Sequence, residues 1–151
     1  MRPSLASLAG CVAIAVVCLA GCDSTAAVTY PRYQFTCCAR LDVQKVWNPG
    51  ETLSLAWDTV PTSGGANAQG ESVTLTATLT GPYPSADTLK AGGGASRNLR
   101  ANPITASDAQ PGNYTSVIAL PAALPTGFYN LETATVFSSG ASSGATIIQV
   151  R

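Results

Sequence analysis

Histidine is absent from this 151-residue chain, and the single methionine is its first residue. A Ser-His-Asp or Cys-His catalytic site therefore cannot be assembled, and a soft-metal site would have thiolates alone. Charge is also scarce: Lys, Arg, Asp and Glu make up 11% of residues and cancel to a formal charge of zero. Nucleic-acid binding needs a strong basic footprint, which this balance does not supply. The acids are scattered along the chain, so spacing points to neither a glycosidase carboxylate pair nor a calcium site. The glycines of "A-G-G-G-A", residues 91–95, do not join a strand to a helix and so form no phosphate cradle. We expect no enzyme activity, no metal and no dissociable cofactor.

What is present begins with "M-R-P-S-L-A-S-L-A-G-C-V-A-I-A-V-V-C-L-A-G-C". Arg2 precedes an uncharged apolar run over residues 5–20 that ends in small residues, the layout of a secretory signal. The run falls short of the roughly 20 apolar residues of a comfortable membrane span; an uncleaved anchor helix is the alternative. Leu19-Ala20-Gly21-Cys22 resembles the lipobox of bacterial lipoproteins. That resemblance implies a signal peptide over 1–21, cleavage before Cys22, and acylation of its thiol with fatty chains such as palmitate. It places the mature protein on the cell membrane, in the envelope, facing outside the cytoplasm. Each buried CH₂ stabilises such an anchor by about 0.8 kcal/mol, and two chains suffice to hold it. An ordinary signal-peptidase site would instead leave Cys22 a free thiol. Cleavage leaves 130 residues (151 − 21), with seven cations (8 − 1) against eight acids.

Five cysteines are present. Cys11 and Cys18 leave with the signal and Cys22 carries lipid on this reading, so only the neighbours Cys37 and Cys38 remain. Three readings compete for them: a vicinal disulfide acting as a rigid kink, two reduced thiols packing as small apolar groups, or a redox or metal site. Adjacent Cα atoms, about 3.8 Å apart, are closer than the separation disulfides prefer, yet thiols outside the cytosol tend to oxidise.

Residues 22–34 are small and polar and read as a tether. From Phe35 onward the pattern is β. Leu53, Leu55 and Trp57 alternate with polar or small neighbours, and Val73, Leu75, Ala77 and Leu79 alternate with Thr74, Thr76, Thr78 and Thr80. Further strands are predicted at 35–46, 86–90, 113–120, 128–137 and 144–150, with a short one near 98–105. Asn48-Pro49-Gly50, Gly81-Pro82 and Pro111-Gly112 supply turns. About seven short strands make an all-β sandwich over residues 35–151. "L-S-L-A-W-D-T-V-P", residues 53–61, resembles the second strand of fibronectin type III and related immunoglobulin-like domains, where a Trp fills the space between sheets. "L-P-A-A-L-P-T-G-F-Y-N-L", residues 120–131, resembles the corner before their strand F. The likeness implies that Tyr129 is a corner tyrosine bonded to backbone upstream; an ordinary core tyrosine is the alternative. The usual aromatic of the third strand and the cysteine pair of antibody domains are missing.

Strands that run up and down place the turns at 60–70, 91–112 and 138–143 at the end where the tether enters, with Arg97 and Arg100 near lipid headgroups. The far end carries Trp47, Tyr83 and Leu124, read either as a contact tip for an envelope protein or glycan or as a lid over the core. The function expected is a membrane-anchored, non-catalytic binding or structural module. The alternative is a redox-responsive envelope protein using Cys37 and Cys38.

Overall fold

The computed structural model describes residues 27–151; the signal segment 1–21 and Cys22 lie outside the described residues. Nine strands and one short helix follow in order: β1 (Tyr30–Cys37), β2 (Val46–Trp47), β3 (Thr52–Gly65), β4 (Ser72–Tyr83), α1 (Ala86–Lys90), β5 (Arg97–Arg100), β6 (Ile104–Ser107), β7 (Tyr114–Ala119), β8 (Gly127–Phe137) and β9 (Gly140–Val150). One sheet has the order β1-β3-β7, the other β2-β9-β8-β4-β5, with β6 also paired to β4. All pairings are antiparallel except β2 with β9. β1 and β2 are two pieces of one strand that changes sheet, and β5 and β6 are two pieces of the edge along β4. Counted so, the strands number seven, as expected, in two sheets that make an all-β sandwich.

The alternation seen in the sequence sets which face each strand buries. Leu53, Leu55 and Trp57 on β3 and Val73, Leu75, Ala77 and Leu79 on β4 all point between the sheets and are at most 3% exposed. Burying each of these leucine and valine side chains stabilises the fold by about 1.5–3 kcal/mol. Trp57 fills the space between sheets, and its indole N–H donates to the Ser116 hydroxyl at 2.9 Å, so its one polar atom is satisfied. The Tyr129 hydroxyl donates to the Pro125 carbonyl at 2.6 Å, which makes it the corner tyrosine. Burial raises its pKa above the ordinary phenol value and outweighs the opposing charge of Arg97.

Several boundaries differ from expectation. The strand expected over 35–46 ends at Cys37, where the chain turns, and resumes only at Val46–Trp47; β3 runs on to Gly65 through part of the turn expected at 60–70, and β9 begins at Gly140 inside the one expected at 138–143. The first strand starts at Tyr30, inside the segment read as tether, so the ordered domain begins before residue 35. Residues 86–90 form a helical turn instead of a strand. Ser85 caps it by accepting from the Thr88 amide, while Asp87 and Lys90 oppose the helix dipole at the proper ends. The region around 98–105 holds two short strands, separated at Ala101, whose amide reaches the Ala77 carbonyl.

Candidate functional site

Four places in the domain bring polar or reactive groups together, and the first is where the chain enters. Tyr30, the turns 66–71 and 108–113, and the hairpin at 138–139 lie at one end. Arg32 ties the entering strand to the turns 66–71 and 108–113. It is only 8% exposed. Its guanidinium donates to the Pro31 carbonyl at 3.0 Å and to the Asn67 side-chain oxygen at 2.9 Å, and also to the Asn67 backbone carbonyl. Nε pairs with Asp108 at 3.4 Å. The other carboxylate oxygen of Asp108 accepts from the Glu71 amide, and the Asp108 carbonyl accepts from the Tyr33 amide. A buried cation is tolerated only when paired and hydrogen-bonded in this way. The result is a clasp that fixes the direction in which the preceding residues leave the sandwich.

The second place is the cysteine pair. Cys37 and Cys38 form a disulfide with each other. Cys38 is the one non-glycine among the described residues with positive φ, at 76°, a conformation that L-residues disfavour. Its amide donates to the Ala56 carbonyl and its carbonyl accepts from Leu41, so the ladder to β3 ends there and a turn begins. After that turn the chain reaches β9 on the opposite sheet. The bridge is therefore a kink at the crossing between sheets, half-buried, with Cys37 touching both halves of the core. A groove of about 200 Å³ beside it separates the free edges of β1 and β9 and is lined by Phe35, Trp57, Thr135 and Ser142 among others.

The far end is the third place, and there the contact-tip reading is corrected. Trp47, Tyr83 and Leu124 do lie at that end, but they are 8%, 9% and 3% exposed. They are a lid over the core. The reason is the apolar area that an open sandwich end would otherwise show to water. Lys45 covers Trp47, its ammonium 3.8 Å from the ring centroid, and pairs with Glu51 at 3.4 Å. The Asn48 amide donates to the Glu51 carboxylate and holds its pKa below the usual value. The tip shows solvent this charged pair together with the small residues Pro121, Ala122 and Ala123.

The fourth place is the outer face of the larger sheet, which the sequence marks as a solvent-facing row of threonines but not as a site. Thr74, Thr76, Thr78 and Thr80 project from β4, flanked by Glu132, Ala134 and Val136 on β8 and by Ser143 and Ala145 on β9. Small side chains leave a concavity of about 480 Å³ there. On the other side of β4, Arg100 and Asn98 on β5 stand beside Thr78 and Thr80. Arg97 and Arg100 are thus far from the tether end: Arg97 stands opposite Gly81, near the lid. The signal that could have found this face was the unbroken threonine alternation, which marks one face of a central strand as polar and short.

Cys22, the expected lipid site, lies outside the described residues. Among the described residues no three metal-capable side chains gather, and no helix is long and apolar enough to cross a membrane. No family model matches the chain, and no curated protein matches its sequence.

Proposed function

We propose that the protein is a lipoprotein of the cell envelope, acylated on Cys22 after removal of residues 1–21, whose sandwich serves a binding or structural duty toward an envelope protein or glycan. The observation that carries this reading is the Cys37–Cys38 bond. Those two cysteines satisfy each other, and with Cys11 and Cys18 in the signal, Cys22 has no cysteine left to join in the mature chain. The clasp supports it too. Seven residues lie between Cys22 and Tyr30, so over eight residue steps the entry end would stand within about 28 Å of the bilayer even at full extension. The test is intact-mass analysis of native protein beside a Cys22→Ala variant. Wild type should carry the mass of its acyl chains and fractionate with membranes, and the variant should lose both. A native Cys22 found as a free thiol, or bridged to residue 37 or 38, would end the reading.

A second reading, a redox-responsive envelope protein, draws on the position of the bridge at the sheet crossing. Opening it would release Cys38 from its positive φ and loosen the β1–β2 connection. Thiol trapping across the redox range of the envelope decides the matter: a bridge oxidised throughout that range excludes this role.

A further inference from the structure

We propose that the outer face of the larger sheet joins two copies of this chain in a parallel two-fold dimer whose axis runs along β4, with Arg100 of each copy paired to Glu132 of the other. The register places these groups. Thr78 on β4 stands opposite Arg100 on β5 and opposite Glu132 on β8; Thr80 stands opposite Asn98 and opposite Asn130. Residues of even number on β4 face outward, and so do their partners across the ladder. A cation and an anion therefore sit at one height, about 4.8 Å to either side of the same strand. Two amides do the same one row away.

A two-fold interface must be complementary to itself. Rotation by half a turn about an axis along β4 exchanges left and right and leaves height unchanged. It lays Arg100 over the partner's Glu132, Glu132 over the partner's Arg100, and each Asn98 over an Asn130. Thr78 and Thr80 meet their own copies on the axis, where short side chains let the sheets approach. The cation from β5 then reaches over β8, into the concavity left by Ala134, Ser143 and Ala145.

Within one chain these charges are held but not paired with each other. Arg100 donates to Asn98 along its own strand at 3.2 Å, and Asn130 donates to Glu132 at 2.7 Å. The ion pairs among the described residues are Arg32–Asp108, Arg40–Asp58 and Lys45–Glu51. Because the axis is parallel to the strands, both entry ends point the same way, as two chains rooted in one surface would need. The pairing itself does not depend on how the chain is anchored. The face offers roughly 450 Å² per copy from strand spacing and rise, below the roughly 600 Å² per copy of specific stable interfaces and in the range of transient ones, so the dimer is weak and governed by charge complementarity.

The experiment is sedimentation equilibrium of the purified full mature chain in detergent, from about 10 µM to 1 mM, a range that brackets weak association. Wild type should dimerise within it. Arg100→Glu alone and Glu132→Arg alone each set like charges at both contacts and should weaken self-association about 100-fold. A mixture of the two variants restores opposite charges at both contacts and should associate within about threefold of wild type. Matched thermal melts establish that the variants are folded. A wild type monomeric throughout the range, single variants that dimerise normally, or a mixture that fails to associate would each overturn the proposal.

Discussion

Replacing Tyr129 with Phe removes one oxygen from a residue that is 0% exposed and leaves the ring in place. The lost bond is the 2.6 Å contact to the Pro125 carbonyl, which ties the turn before β8 to the strand itself. An intramolecular hydrogen bond is worth about 1 kcal/mol net, and an acceptor left without its donor costs somewhat more. Because Pro125 is itself only half-buried, water can reach its carbonyl, and the expected cost is about 1.5 kcal/mol. At about 4 °C per kcal/mol for a domain of this size, the melting temperature should fall by about 6 °C. A pH series adds a signed test. Burial raises the Tyr129 pKa in the folded state, so below about pH 10, the ordinary phenol value, both states are neutral and the group adds no pH dependence. Above it the unfolded chain ionises first, and wild type loses stability that the Phe variant cannot lose. The gap between the two proteins should therefore be constant up to about pH 10 and narrow beyond. Urea melts from pH 7 to 11 measure it. A neutral-pH difference below about 0.5 kcal/mol, or a gap that widens with alkali, would refute the assignment of Tyr129 as a bonded corner.

Two further outcomes follow from the clasp and the kink. Arg32→Ala should cost about 2 kcal/mol, less than the roughly 3–5 kcal/mol of breaking a fully buried pair, because Asp108 keeps its bond from the Glu71 amide; hydrogen exchange should show the Tyr33 amide losing protection while β4 keeps its own. Cys37→Ala with Cys38→Gly should be more stable than Cys37→Ala with Cys38→Ala by about 0.5–1 kcal/mol in urea, since glycine accepts the positive φ at residue 38 without penalty.

The sandwich was readable wherever one side of a strand is buried and the other is not. β3 and β4 announce themselves through Leu53 to Trp57 and Val73 to Leu79, because a period of two has no other economical explanation. The corner tyrosine was readable because its motif is local. Arg32 was not, since "Y-P-R-Y" has the look of a polar leader and its partners Asn67 and Asp108 are 35 and 76 residues away. Long-range ion pairs leave no periodic trace. The turn at 86–90 was missed for a different reason: Ser85, Asp87 and Lys90 are good capping chemistry, but five residues are too few for a helical period to show. The lid was ambiguous because Trp47, Tyr83 and Leu124 come from three separate connections, and only the closed end of the sandwich brings them inward. The outer face of the larger sheet could be seen as a run of threonines, whereas its charge symmetry depends on a register that single strands do not reveal.

The first strand changes sheets, and that arrangement bears on tension. A pull at Tyr30 against Val150 draws the two along opposite ends of the sandwich, because β1 enters at one end and β9 finishes at the other. The β1–β3 ladder then slides lengthwise with its rungs loaded together, and the short parallel contact of Val46 and Trp47 with Gln149 and Val150 is stressed in the same manner. Neither can be opened like a zipper, one rung at a time. A module so connected resists stretching along its long axis better than peeling from its side.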